Sequence, residues 1–276
     1  MHSSRIRPIA SVAALIGAIV LATGSLACST KTRCGMWSKN TLEGDLVTAL
    51  EDPSPNQRLQ ALARIVNYSS PLPEVAFDSL STIARTDKNT QVRSAAIRAL
   101  QSHLSPSAID PIVLIVLFKD HPDQVITPKD QVIWDAFVAL SDVCDQGLLP
   151  DQHRDAVRDH MIKTLLSRDD RNIRMAAAYI LQYFPIRPAL EALIGAIREE
   201  DFGICYEAEH ALIAMTGKTH QYDADAWLAW LQQTDDPFAD TGQTPEGLPQ
   251  PYKSRWRKQW DDFKDRMAWR NTDQDQ

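Results

Sequence analysis

One spacing of small and apolar residues recurs along this chain, and it constrains the fold more than any other feature. In residues 92–100 an aliphatic side chain at position 0 is followed by alanine at +4, a small or apolar residue at +7 and leucine at +8. These positions share one face of an α-helix, and alanine at the centre lets a neighbouring helix approach to about 8 Å. The copies are Val92, Ala96, Ala99 and Leu100; Val132, Ala136, Ala139 and Leu140; Ile173, Ala177, Ile180 and Leu181; Ile204, Ala208, Ala211 and Leu212; and, more weakly, Gln57, Ala61, Arg64 and Ile65. This frame predicts five closely packed helices of one type.

Each framed helix is preceded by another amphipathic segment, so we expect the repeating unit to be a pair of helices. The preceding segments span roughly 41–51, 73–85, 107–119, 153–167 and 188–199. Acidic residues and prolines punctuate the gaps within the pairs, and such residues start helices and fill turns. No stretch shows sustained alternation of apolar and polar residues, which predicts an all-α fold.

The framed helices resemble the second helices of HEAT repeats, which carry a pattern of the form Asp-x-x-Val-Arg-x-x-Ala-x-x-Ala-Leu. The matching residues are Asp87 and Asp170 before the frame and Arg93 and Arg174 within it; Arg58 matches less closely, and Ile133 and Cys205 depart from the pattern. The resemblance covers residues 41–233 and implies a right-handed α-solenoid of about five helical hairpins. It also implies a scaffold or adaptor, because most members of the family are of that kind and only a few are enzymes.

The end of this region resembles the terminus of many bacterial HEAT-repeat proteins. There, a Thr-Gly helix end leads to a C-terminal capping helix with paired tryptophans, as in residues 214–217 and 226–231 here. Gly217 is predicted to take the left-handed conformation that ends a helix. Trp227 and Trp230 are predicted to cover the apolar face that the last repeat would otherwise expose.

The front of the chain has the pattern of an export signal. Arg5 and Arg7 precede an uncharged, largely apolar stretch that runs to Ala27, so residues 1–27 are predicted to be a signal peptide. Residues 24–28, Gly-Ser-Leu-Ala-Cys, resemble the bacterial lipobox, although leucine stands one place nearer the cysteine than is usual. That resemblance implies that Cys28 receives a diacylglycerol and is then acylated again, typically with palmitate.

Two alternatives to lipidation remain open for this segment. Ordinary signal peptidase could cleave after Ala27, or the apolar stretch could stay as an uncleaved anchor of about 20 residues. With lipidation, residues 28–40 form a tether and the protein is attached to a membrane of the bacterial cell envelope on its extracytoplasmic side. Ser29 after the cysteine is, by the resemblance, compatible with transfer to an outer membrane.

The charge of the chain excludes one class of partner. The full sequence has a formal net charge of −7, and removal of residues 1–27 takes away two arginines and no acid, which gives −9. A body this acidic is not expected to bind nucleic acid.

The predicted binding surface lies on the second helices, at positions +2 and +6 of the frame, which point away from the alanines. An aromatic strip occupies these positions in place of the polar residues expected of a face that meets only water: Trp134, Met175, Tyr179, Tyr206 and His210. Such residues are enriched where proteins bind one another. The alternative is that neighbouring repeats or the tail bury them. We predict that this strip contacts an unidentified protein.

Candidate catalytic groups are few. His153 with His160 and Glu207 with His210 lie at helical spacings but match no metal motif, and both pairs are expected to be solvated. Neither a Gly-rich phosphate loop nor a Gly-x-Ser-x-Gly nucleophile motif is present. We therefore predict no enzyme, no cofactor and no metal. The alternative is an enzyme or small-molecule-binding protein that uses the concave face, as implied by the resemblance to bilin-lyase-like HEAT proteins.

Of the four cysteines, three remain if Cys28 is lipidated. Cys144 and Cys205 belong to second helices two repeats apart, about 16 to 20 Å, which is too far for a disulfide. Both are predicted to be buried thiols. Cys34 is predicted to be free or to pair with another molecule.

The tail combines a linker and a basic amphipathic helix. Residues 234–251 carry Asp, Thr, Gly and four prolines and are predicted to be extended, 252–271 to be a helix, and 272–276 a short end. An apolar stripe runs along that helix: Trp256, Trp260, Phe263 and Met267. Seven Lys or Arg residues lie against three Asp between positions 250 and 270. The helix is predicted to fold back on the solenoid, to lie on an anionic membrane or to dock a partner; these three remain open.

Overall fold

The structure is a computed structural model, and it describes residues 41–117, 129–167 and 169–247. Within these ranges the chain forms eleven α-helices and no strand. The predictions for the signal peptide, for Cys28 and Cys34, for the tether and for the tail helix with its four apolar residues lie outside the described residues.

The helices are numbered here in chain order. They are α1 (Leu42–Glu51), α2 (Pro55–Val66), α3 (Glu74–Thr86), α4 (Thr90–Ser102), α5 (Pro106–Val116), α6 (Asp130–Asp145), α7 (Asp151–Ser167), α8 (Arg171–Leu181), α9 (Arg187–Ile197), α10 (Phe202–Thr216) and α11 (Ala224–Gln233). The predicted preceding segments correspond to α1, α3, α5, α7 and α9, and the framed segments to α2, α4, α6, α8 and α10.

The helices stack in two layers, in the order of the chain. Each hairpin packs its first helix against its second, as in α1 with α2 and α3 with α4. The second-helix layer, α2, α4, α6, α8 and α10, is continuous because each member packs on the next. The first helices α1, α3, α5, α7 and α9 follow in the same way, with α11 packed on α9. The predicted all-α, solenoid-like arrangement of stacked hairpins is confirmed.

The alanine frame is the contact surface of these helices. All sixteen frame residues of α4, α6, α8 and α10 are buried, with at most 2% of any of them exposed. In the weaker first copy Ala61 and Ile65 are buried, whereas Gln57 and Arg64 are exposed. Arg64 instead reaches across the hairpin and donates from Nε to the carboxylate of Asp45 at 2.8 Å.

Side chains in the turns begin the second helices. The carboxylate of Asp170 accepts from the backbone N–H of Ile173 at 2.9 Å, and Asp201 caps α10 in the same way. Asn89 caps α4 by accepting from two backbone N–H groups. Each cap satisfies donors that a helix N-terminus leaves without intrahelical partners. Polar turn residues therefore fix where the hairpins reverse.

The stack ends in a cap built around a buried carboxylate. Trp227 of α11 is fully buried and donates from Nε1 to Glu209 of α10 at 2.7 Å. Glu209 also accepts from the hydroxyl of Thr219 and from the backbone N–H groups of residues 220–222. These bonds hold Gln221 and Tyr222 at positive φ, which residues other than glycine rarely adopt. The predicted cover by Trp227 is confirmed, and its polar anchor is Glu209.

Among the described helices, none has both the length and the apolar character that crossing a bilayer requires.

Candidate functional site

The predicted aromatic strip is more buried than its register suggests. Trp134, Met175 and Tyr206 are half-buried. Tyr179 and His210 are buried, with 9% and 6% of their surfaces exposed. The strip thus offers only part of its aromatic surface, and its role in binding stays a prediction.

Among the residues that the structure describes, Phe202 and Tyr222 are the most exposed aromatic side chains, and both lie against Tyr206 near the beginning of α10. Phe202 is 67% exposed and its ring centroid lies 6.0 Å from that of Tyr206 and 5.6 Å from that of Tyr222. Tyr206 in turn stacks on His210 at 4.2 Å. Sequence reasoning missed Phe202 and Tyr222. The sequence could have indicated Phe202, because it lies one helical turn before Tyr206 on the same helix. Tyr222 could not be predicted in this way, because it belongs to the loop that is hydrogen-bonded to Glu209.

A tyrosine pair joins the third and fourth hairpins. The hydroxyls of Tyr179 and Tyr183 both donate to Oδ1 of Asp145 at the end of α6, Tyr179 at 3.0 Å. The two rings meet edge to face at 6.2 Å. Burial raises the pKa of Tyr183, and the neighbouring Tyr179 and Asp145 raise it further. The Tyr183 phenol is therefore a neutral hydrogen-bond donor at physiological pH.

Carboxylates accompany the aromatic residues on the second helices. Asp135 lies 3.4 Å from Arg98 of the preceding repeat, and Asp142 accepts from the amide of Gln101 at 2.5 Å. Asp135, Asp142 and Glu207 are buried, and Asp145 is half-buried. These four carboxylates lie in the second-helix layer together with Glu209, which holds the cap.

The expectation that Glu207 and His210 are solvated is wrong. Glu207 is 1% exposed and His210 6% exposed. For Glu207 the reason is lateral packing: α10 lies against α8, and position +3 of a second helix turns toward the preceding repeat, as Asp135 does toward Arg98. A single helical wheel shows which residues oppose the frame, but not how far a neighbouring helix reaches around the side.

The other histidine pair, His153 and His160, is half-buried. His153 Nε2 lies 2.7 Å from Asp110 Oδ1, and the ring of His160 meets Phe137 edge to face. Across the residues that the structure describes, no three His, Cys, Asp or Glu side chains are grouped so as to hold a metal ion.

Both cysteines of the second helices are buried free thiols, as predicted. Burial raises the pKa of Cys144 to about 12, with Asp145 adding to the effect. Cys205 donates to backbone carbonyls at the end of α9, including that of Ile197 at 3.2 Å, and burial raises its pKa. Because the thiolate is the reactive form, neither cysteine is suited to nucleophilic chemistry.

The turns on one edge of the stack are joined by arginines that the sequence pattern had singled out. Arg58 donates from two nitrogens to the carboxylate of Asp87 in the next repeat, at 2.8 and 2.9 Å, and from a third to the carbonyl of Asp52. Arg174 forms the corresponding bidentate pair with Glu199. Arg93 is buried and donates to the carbonyl of Asp87 at 2.7 Å.

The same turns border a pocket of about 640 Å³ between the first two hairpins. Its lining includes Arg58, Asp87, Asn89 and the prolines of the first turn. Arg58 and Asp87, which face it, bind each other, and Asn89 caps α4. These three groups therefore have a structural explanation.

Comparison with known proteins adds little to this geometry. No family model matches the sequence, and no curated protein matches it. Two solved structures of engineered proteins are similar at 19% identity. The first match covers 68% of this chain and 84% of the engineered chain, with a TM-score of 0.44. The second covers 71% of this chain and 92% of the engineered chain, with a TM-score of 0.46. At those values the likeness supports no conclusion about function.

Proposed function

We propose that this chain is a HEAT-repeat scaffold that is lipid-anchored through Cys28 at a bacterial cell envelope and binds another protein. The binding surface is the outer face of the second-helix layer, defined as the side turned away from the first helices. The observation that carries the proposal is the aromatic cluster formed by Phe202, Tyr206 and His210 of α10 with Tyr222 of the following loop.

Two properties of this cluster favour a protein partner. Exposed aromatic side chains with a polar tip are the residues that contribute most to protein interfaces. Tyr206 and His210 continue along the layer into Tyr179, Met175 and Trp134, so the surface is an extended face and not a single cavity. Stacked repeats present such extended faces to partners.

Site-specific photo-cross-linking tests the proposal in cells. A photoreactive phenylalanine analogue at Phe202 should give a cross-linked product of discrete mass, and Tyr206→Ala in the same chain should weaken it by about tenfold. The matched control is the same analogue at Leu166 of α7, a residue of the first-helix layer with 58% exposure against 67% for Phe202.

Two results would contradict the proposal. Equal cross-linking at Phe202 and Leu166 would indicate non-specific contact. The absence of any cross-linked product at Phe202 would show that no protein partner binds at this cluster. Purified chain that retains a small molecule in native mass spectrometry, and loses it with His210→Ala, would favour the alternative of a small-molecule-binding protein.

A further inference from the structure

The third and fifth second helices are buried on more sides than their neighbouring helices account for. Twelve of the sixteen residues of α6 are buried, and they include Val138 and Ser141 on the outer face, both 0% exposed. The helices packed on α6 are α4 and α8 at its flanks and α5 beneath it. On α10, His210 and Ile213 of the outer face are buried as well, at 6% and 3%. A helix buried all round is covered on every side.

We propose that the chain's own residues 252–271, the tail segment, dock as a helix across the outer face of α6, α8 and α10. The first argument is the distribution of its side chains at about 100° per residue. The apolar stripe is bordered on both sides by basic residues, while the acidic residues fall on the opposite face. The borders are Lys253, Arg257 and Lys264 on one side and Arg255, Arg266 and Arg270 on the other; the opposite face carries Asp261, Asp262 and Asp265.

Charge complementarity is the second argument. The outer face and its flanks carry Asp142, Asp145 and Glu207, besides Asp135, which is paired with Arg98, in an acidic chain of net charge −7. The tail segment brings a surplus of four positive charges, placed beside its apolar stripe. Opposite charges beside an apolar contact stabilise the bound arrangement and fix its orientation.

The third argument is the position of the last described residues, which lie beside the end of α10. Gly242 donates from its backbone N–H to the carbonyl of Ala214 at 2.9 Å, and Thr241 donates from its hydroxyl to that of Met215 at 2.7 Å. The chain therefore leaves from the end of α10, on the layer it is proposed to cover. The described chain ends at Gly247, and residues 248–252 extend over at most about 18 Å. A helix of 20 residues is about 30 Å long, which spans three helices spaced at about 10 Å.

Docking gives the aromatic strip an intramolecular occupant. The proposed docking covers the face that carries Trp134, Met175 and Tyr206, so a protein partner on that face competes with the tail segment. This competition rests on the proposed function, whereas the docking itself does not.

Hydrogen exchange of the full-length chain, followed by mass spectrometry, tests the docking directly. The double variant Trp256→Ala and Trp260→Ala should raise the exchange rate of amides in α6, α8 and α10 by about tenfold and leave α1 and α2 unchanged. Trp269→Ala is the matched control, because Trp269 lies away from the stripe, and it should leave all rates unchanged.

A second matched pair tests the charges. Lys264→Glu, at the border of the stripe, should accelerate exchange in the same three helices, whereas Lys258→Glu, on the opposite face, should not. Each substitution changes the net charge by the same amount. Repeating the measurement at a tenfold lower protein concentration should give identical rates if the tail docks within one chain.

Three outcomes would overturn the proposal. Unchanged exchange in the Trp256 and Trp260 double variant would exclude docking on this face, and rates that depend on concentration would assign the contact to a second copy. Unchanged exchange, together with a blue shift of tail tryptophan emission on addition of phosphatidylglycerol vesicles, would assign the tail segment to a membrane surface.

Discussion

Gly217 shows how one residue joins the last repeat to its cap. Its φ is +67°, so it ends α10 in the left-handed conformation that the sequence predicted. A Cβ at this position would also lie 2.5 Å from the carbonyl oxygen of Asp240. Glycine is required here for two reasons, since both the backbone conformation and the close approach of the chain at Asp240 exclude a side chain.

Gly217→Ala is expected to lower the free energy of unfolding by about 2 kcal/mol or more, because it adds left-handed strain of about 1–2 kcal/mol to a backbone clash. Denaturant unfolding measures the change. The matched control is Gly195→Ala, in the exposed interior of α9, where the added Cβ meets nothing within 4 Å. That control should stabilise the chain by up to about 1 kcal/mol through helix propensity. Equal effects of the two substitutions would contradict the argument.

At the scale of the elements, neighbouring hairpins are joined by arginines as well as by apolar packing. The pair of Arg58 and Asp87 is the clearest, with side chains 12% and 9% exposed. Arg174 is bonded in the same way to Glu199, and that hydrogen bond lowers the pKa of Glu199. Arg58 stands in the copy of the frame that matches least well, yet it forms a complete bidentate contact.

Arg58→Lys is expected to cost about 1–2 kcal/mol of unfolding free energy, because lysine keeps the charge but cannot form the planar two-bond contact with Asp87. Chemical denaturation of the variant, alone and combined with Asp87→Asn, measures the coupling. Arg187→Lys serves as the control, since that exposed pair with Glu191 is 3.8 Å apart and should contribute less than about 0.5 kcal/mol. A loss of similar size in the control would refute the role of the bidentate geometry.

For the molecule as a whole, stacking divides the chain into units that depend on their neighbours. Each second helix contacts the one before and the one after, and α11 closes the first-helix layer at α9. Such an array has an extended lateral surface and two ends, one of which Trp227 covers. Attachment through Cys28 would leave that surface accessible to a partner in the envelope.

Cells grown with an alkyne-tagged palmitate analogue are expected to label this chain through Cys28. Cys28→Ser should abolish the label, because the acylated amine and the diacylglycerol sulfur both belong to that residue, and the chain should move from the membrane to the soluble fraction. Cys34→Ser, six residues further on, is the control and should keep both label and location. A wild-type chain that is membrane-bound but unlabelled would favour an uncleaved anchor, and a label that survives Cys28→Ser would contradict acylation at this residue.

Local sequence by itself determined the helices, their pairing and the face on which each second helix packs. Alanine at +4 and leucine at +8 are sufficient for this, because residues spaced by three and four share one side of a helix whatever surrounds it. The same local logic located the turns, where Asp170 and Asn89 cap, and the helix end at Gly217. In each case the deciding groups lie within a few residues of one another.

Only the tertiary structure decided which side chains on the other faces of the second helices are buried and which are exposed. Glu207 and His210 are buried, and Glu209 holds the cap, because helices or loops distant in the sequence approach them. Tyr222 joins Phe202 through the loop that this carboxylate orders. A helical period fixes the direction in which a side chain points, but its exposure depends on which segments come to lie beside it, and that is a property of the whole stack.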